Sequence, residues 1–121
     1  METDHRLRRR KAERRGHVAE YVAALLLLVK GYRILALRYR TKPGEIDLIA
    51  RKGELVVFVE VKARIGEREA VDTVSFTAQR RIRAASDVWL SHRRDASRLS
   101  QRYDVVAVLP GQFPRHFPDA F

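Results

Sequence analysis

Two short apolar stretches carry charges that a buried strand does not ordinarily hold. Asp47 sits inside GEIDLIA (Gly44 to Ala50), and Glu60 and Lys62 sit inside VEVK, which begins at Val59. Burying an unpartnered charge costs several kcal/mol or shifts its pKa, so such residues need a reason to be where they are. A divalent cation held by the two carboxylates, with the ammonium beside it, would supply one. That combination suits metal-assisted attack of water on a phosphodiester. The plainer reading is a surface ion pair at the frayed end of a sheet, Glu60 with Lys62 or Asp47 with an arginine. Three charges converging on one face of two apolar strands weigh against it.

Strand parity decides whether they can converge. In LVVFVEVK, Val56, Phe58, Glu60 and Lys62 share one face and Leu55, Val57, Val59 and Val61 the other. Both faces are largely apolar, which predicts a central strand covered on each side. Upstream, Glu45, Asp47 and Ile49 alternate with Ile46, Leu48 and Ala50. Between the strands, Arg51-Lys52-Gly53-Glu54 reads as a hairpin turn. With Lys52-Gly53 as its two-residue loop, Asp47 falls opposite Phe58 and Glu45 opposite Glu60. Asp47 and Glu60 then stand diagonally on one face, roughly 7–8 Å apart at the backbone. A shift of one residue would send them to opposite faces.

The order of an early helical Glu20, then GEIDLI, then VEVK resembles the PD-(D/E)XK nuclease superfamily, and within it the small YraN family. The likeness extends over RRGHVAEYVAALLL (Arg14 to Leu27), GYRILALRYR (Gly31 to Arg40), AQRRIRAASDVWL (Ala78 to Leu90), RYDVVAV (Arg102 to Val108) and the terminal DAF. It implies an α/β fold of the restriction-endonuclease type, an αβββαβ core in which helices flank a mixed central sheet, with the site at the sheet's end. It carries over Glu20, Asp47, Glu60 and Lys62 as the site. Mg²⁺ or Mn²⁺ is the implied cofactor, held by Asp47 and Glu60, with Glu20 completing the set or positioning a water; the Val61 backbone carbonyl, between the two charged side chains of VEVK, is a further candidate ligand. One departure is visible: Ala78 stands where the family tends to carry Lys.

Charge points the same way. The 121 residues hold 25 Lys and Arg against 15 Asp and Glu, a net charge of +10, and the pI is near 10.8. Most of the cations are arginines, which grip phosphate through two hydrogen bonds at once. They cluster in RLRRRKAERR (Arg6 to Arg15), RTK (Arg40 to Lys42), Arg80-Arg81 and Arg93-Arg94. Such a field favours a polyanion with salt-sensitive affinity, although a charge run is also an ordinary solvated helix face. Beside the resemblance, it makes nucleic acid the expected partner, DNA ahead of RNA, with Arg40, Arg64, Gln79 and Arg80 as candidate contacts. A homodimer is a further expectation; no interface for one is legible.

Other classes fall away. The chain has no cysteine, which excludes disulfides and thiolate zinc sites and agrees with a reducing cytoplasm. The four histidines (His5, His17, His92, His116) show no ligand spacing and read as polar surface. The apolar run Val22 to Val29 is far short of the roughly 20 residues that span a bilayer, so it reads as core.

One domain over 1–121 is expected, with 1–12 as a flexible basic arm. Helical spacing runs from about Lys11 to Lys30 through Val18, Val22, Leu25, Leu26 and Val29, and Gly31 stops it. Glu20 lies on another stripe with Gly16, Ala23 and Ala24, whose small side chains let the helix approach a sheet. A strand follows over Arg33 to Tyr39, then a turn from Arg40 to Pro43. After VEVK, Ala63 to Ser75 reads as a mobile loop beside the site. A second helix buries Phe76, Ala78, Ile82, Ala85 and Trp89 and turns Arg80, Arg81 and Arg94 outward. Tyr103 to Leu109 is a last strand, and the tail from Gln112 is irregular, its phenylalanines capping the core. Two function classes lead: a metal-dependent endonuclease, with branched DNA among its substrates, and a nucleic-acid-binding protein that keeps the fold without cutting. A third is a structural protein whose basic surface serves a protein partner.

Overall fold

The structure, a computed structural model, describes residues 2–63 and 74–121, those at 2–5 and 8–15 as helical backbone alone. Helix α1 (Glu2–Val29) ends where expected. Gly31 takes a φ of +97°, and the N–H groups of Gly31 and Tyr32 fold back onto the Leu28 and Leu27 carbonyls. This satisfies the last turn and reverses the chain. Strands β1 (Arg33–Arg40), β2 (Glu45–Lys52) and β3 (Leu55–Lys62) form an antiparallel meander. Helix α2 (Phe76–Ser91) begins at Ser75, whose hydroxyl accepts the Ala78 N–H, and carries the chain over the sheet. β4 (Ser100–Ala107) then pairs parallel to β3, the arrangement that a helical crossover permits. The sheet order is β1-β2-β3-β4-β5. The expected αβββαβ core is therefore present, with β3 at the centre.

A last strand, β5 (Arg115–Phe117), adds antiparallel to β4 where an irregular tail was expected. Three residues close to Pro114 and Pro118 offer no alternating pattern to read. The expected loop from Ala63 to Ser75, and with it Arg64, lies largely outside the described residues. Among those described, no helix is long and apolar enough to cross a membrane.

Two apolar clusters cover the sheet's faces. Ile46, Ile49, Val56, Phe58, Tyr103 and Val105 pack with Ile82, Ala85 and Trp89 of α2, and the Phe58 and Trp89 rings meet edge to face at 5.9 Å. Leu48, Ala50, Val57, Val59 and Val106 pack with Ala23, Ala24 and Leu27 of α1. Tyr39 and Tyr103 join the α2 cluster as core aromatics.

Three expectations fail here. The large apolar residues Val18, Leu25 and Val29 of α1 face outward. The sheet instead receives Ala19, Ala23, Ala24 and Leu27, because small side chains bring the helix axis, and Glu20 with it, close to the strands. Phe76 is exposed at the first turn of α2, so the buried stripe starts later. Phe117 and Phe121 do cover the core, whereas Phe113 points into solvent.

Gly44 fixes the contact between β2 and α2. A Cβ there would overlap the backbone carbonyl of Arg81, so only glycine lets the head of β2 lie this close to the helix. The start of the GEIDLI segment is in this way a packing requirement as well as a motif.

Candidate active site

The β2–β3 hairpin sets the geometry. Its two-residue loop is Gly53-Glu54, with Gly53 at φ +62° in the first central position, as a type II′ turn needs. Lys52 pairs with Leu55, Ile49 with Phe58 and Leu48 with Val59. The register is displaced by two residues from the Lys52-Gly53 expectation, which preserves parity. Continued by one step, it sets Asp47 across from Glu60 rather than from Phe58. Asp47 Oδ2 accepts the Val61 N–H at 2.9 Å. The N–H and C=O of one strand residue leave on the same side. The Val61 carbonyl therefore also opens toward β2, whereas the Lys62 carbonyl accepts from Val108 on the β4 side at 2.8 Å.

Strict alternation breaks at this point. Leu37 and Leu48 pack toward α1, yet Tyr39 and Ile46, two residues away in each strand, pack toward α2. Arg38, between Leu37 and Tyr39, has a φ of +52°, a left-handed conformation that non-glycine residues seldom adopt within a strand. The β1–β2 register places Arg38 across from Asp47. Both strands therefore turn over at the same rung, and the face-sharing of Glu45, Asp47 and Ile49 expected from parity does not hold. The two residues at that rung line a cleft of about 200 Å³ with Gly16, His17, Glu20, Arg40, Glu45 and Ile46.

Burial dominates the electrostatics of the two acids. Burial pushes Asp47 up to about 7, with Glu60, Glu20 and Glu45 adding to the rise and the Val61 N–H opposing it. Burial also raises Glu60, although Lys62, whose Nζ lies 3.5 Å from Glu60 Oε1, pulls against it. Glu20 is buried on the sheet side of α1, where Arg38 Nη1 donates to its Oε2 at 2.9 Å. The Arg38 guanidinium also lies over the Tyr21 ring at 5.9 Å.

The donor set fits a hard divalent cation of modest demand. Mg²⁺ takes one or two carboxylates and fills the rest of its octahedron with water and substrate oxygens; Asp47 and Glu60 would be the two to offer it. Among the described residues, no three His, Asp or Glu side chains stand close enough to enclose an ion as placed, and Glu20 is occupied by Arg38.

A stability test follows from the raised acids. Asp47 is held above its unfolded value of 3.8. Its contribution is fully present below pH 4 or so and is lost as pH rises through about 7. In chelator, the melting temperature of the wild type should fall relative to Asp47→Asn between pH 5 and pH 8. Parallel curves over that window would show that Asp47 is not perturbed.

The remaining candidates scatter. Arg40 lines the cleft and reaches Glu45 at 3.6 Å. Gln79 donates its side-chain amide to the Val74 carbonyl at 2.9 Å, a contact at the start of α2. Arg80 is exposed on α2 and is not among the residues that line the cleft.

Two residues escaped the sequence reading. Arg38 is a charge inside an apolar strand, the same signal that singled out Asp47. So is Asp104 in RYDVVAV, which is fully buried. Asp104 accepts two hydrogen bonds from Arg102, both at 2.8 Å, one from His116 Nε2 at 2.7 Å and one from the Asp119 N–H at 2.9 Å. Lys30 donates to His116 Nδ1 at 3.0 Å, and Arg102 to the Tyr32 hydroxyl at 3.0 Å. His116, read as polar surface, has a buried side chain. The cluster ties the C-terminal segment to β4 and to the end of α1.

Comparison with known sequences gives the lineage. The profile of the group described as "Uncharacterised protein family UPF0102" matches residues 19–108. A UPF0102 protein of Rhizobium leguminosarum bv. trifolii is 68% identical over 120 residues, which cover 99% of this chain and 98% of that one. Another, of Agrobacterium fabrum, is 68% identical over 114 residues, covering 94% and 93%. One from Rhizobium meliloti is 65% identical over 114 residues, with the same coverage. The chain belongs to the UPF0102 (YraN-like) family.

Proposed function

We propose that this protein is a divalent-metal-dependent endonuclease that hydrolyses phosphodiester bonds of nucleic acid, with DNA favoured over RNA, in the cytoplasm. The observation that carries the reading is the opposed acid pair, Asp47 across from Glu60, with Asp47 raised by burial and by its neighbour and Lys62 at 3.5 Å from Glu60. Asp47, Glu60 and the Val61 carbonyl would hold Mg²⁺ or Mn²⁺. A bound divalent ion supplies Lewis acidity, lowering the pKa of a water and neutralising charge on the scissile phosphate.

The chain's own residues do the rest. Lys62 carries a fixed positive charge beside Glu60, placed to orient the attacking water and to stabilise the extra negative charge of the transition state. Arg38 and Arg40 bring guanidinium groups to the cleft, where they suit phosphate oxygens. When Arg38 turns to phosphate, Glu20 is freed to accept a hydrogen bond from the water. The +10 net charge draws the polyanion in.

The experiment is a cleavage assay on linear, branched and flapped DNA and on RNA, with Mg²⁺ or Mn²⁺ and then with chelator. Metal-dependent products are expected. Lys62→Ala should lower turnover about 100-fold or more while leaving Mn²⁺ affinity within a few-fold of wild type. Full cleavage by that variant would remove Lys62 from the mechanism. A second reading, a nucleic-acid binder that does not cut, is favoured by the Glu20–Arg38 pair and by the lack of a three-ligand cluster among the described residues. Retarded bands without products on every substrate would select it.

A further inference from the structure

Helix α1 presents an apolar face that nothing in the described structure covers. Val18 is 60% exposed, Tyr21 57%, Leu25 61%, Leu28 52% and Val29 79%, and Val22 and Leu26 are half-buried between them. From Val18 to Val29 the only charged residue is Glu20, and it points inward to Arg38. A surface helix ordinarily turns charge to solvent, and one that is apolar all round is a buried helix.

We infer that this face is a self-association seam, in which α1 of one copy packs antiparallel on α1 of a second copy through Val18, Tyr21, Leu25 and Leu28. The spacing is the first argument: steps of three, four and three residues make the seam that interlocks with its own copy as knobs into holes. Area is the second. The five exposed side chains, four aliphatic and one aromatic, form an apolar patch on the order of a few hundred Å² per copy. Lone soluble proteins seldom leave a larger one in water, and covering it on two copies approaches about 1,000 Å², the size at which a specific contact between proteins becomes credible.

Charge selects the occupant and the orientation. Two chains of +10 repel each other, but no residue of the stripe is itself charged, and Arg38, whose guanidinium lies over the Tyr21 ring at 5.9 Å, is paired with Glu20 at 2.9 Å. An antiparallel pair sends the two Arg-rich segments, Arg6 to Arg15, to opposite ends; a parallel pair would set them side by side. A lipid surface is disfavoured, because an interfacial helix needs a cationic face opposite its apolar one, and in α1 that opposite face is packed on the sheet.

The inference is independent of the chemistry of the cleft, and its test reads mass alone. Sedimentation equilibrium of the full chain at about 100 µM should give twice the protomer mass. Association should tighten from 0.15 to 0.5 M salt as the like charges are screened, opposite to the salt response of phosphate binding. Leu25→Glu, which sets an acid against Tyr21 of the second copy, should shift the protein to monomer with its circular dichroism retained. Leu25→Ser, a milder change, should weaken association at least tenfold. A wild type that is monomeric at both salts overturns the proposal. So does a folded Leu25→Glu protein that still dimerises, or a monomer that instead floats with anionic phosphatidylserine vesicles.

Discussion

Asp47→Asn should abolish metal-dependent cleavage, by at least 100-fold, while making the protein more stable at pH 8. Both effects have one cause. The Asp47 carboxyl is raised to about 7 by burial and by Glu60, with Glu20 and Glu45 adding to it. Folding at pH 8 therefore forces a charge into a place that resists it. A shift of this size corresponds to roughly 2–4 kcal/mol against the folded state, and Asn removes it while still offering Val61 an acceptor oxygen. In chelator the melting temperature should rise by about 5–10 °C. With Mn²⁺ the ranking should reverse, because an ion stabilises the form that binds it. A site that sacrifices stability for function has this signature. Lower stability of Asp47→Asn in chelator would mean that Asp47 is a structural residue.

Asp104→Ala should have the largest effect on the fold. Burial alone would raise this acid, but hydrogen bonds from Arg102, His116 and the Asp119 N–H overcome it and hold it at about 2. Its contribution is present above pH 4 or so and is lost as pH falls toward 2. Alanine leaves Arg102 and His116 facing an empty buried position, and losing one partner of a buried charge network costs about 3–5 kcal/mol. That is a large share of the roughly 5–15 kcal/mol available to a small domain. Urea melts should show a midpoint displaced in proportion, with the C-terminal segment losing amide protection first, since Asp119, His116 and Phe117 hang on this cluster. A displacement below about 1 kcal/mol would show that the network is dispensable.

Much of the architecture is written in local patterns. VVFV is apolar on both faces because β3 is covered on both faces, and Gly31 ends α1 because the chain must take a positive φ there. The hairpin was legible as a hairpin, but its register was not. A single glycine can occupy either central position of a two-residue turn, and Gly53 takes the first. The α1 surface was misread because large apolar residues were assigned inward; the distance between helix and sheet selects alanines instead. Parity failed in β1 because the left-handed Arg38 inverts the alternation, and β2, paired to it, turns over at the facing Asp47; an arginine in an apolar strand gives no sign of such a conformation. Asp104 and Arg38 were legible by the reasoning used for Asp47, a charge within an apolar run. His116 was not, since its partner lies twelve residues back on a neighbouring strand.

The most direct measurement is calorimetric titration of Mn²⁺ into the protein at pH 8 and at pH 5. If Asp47 and Glu60 jointly hold the ion, wild type binds at pH 8 and binds at least tenfold more weakly at pH 5, where Asp47 retains its proton; Asp47→Asn binds at neither. Equal affinity at the two pH values, or binding that survives in Asp47→Asn, would contradict the account.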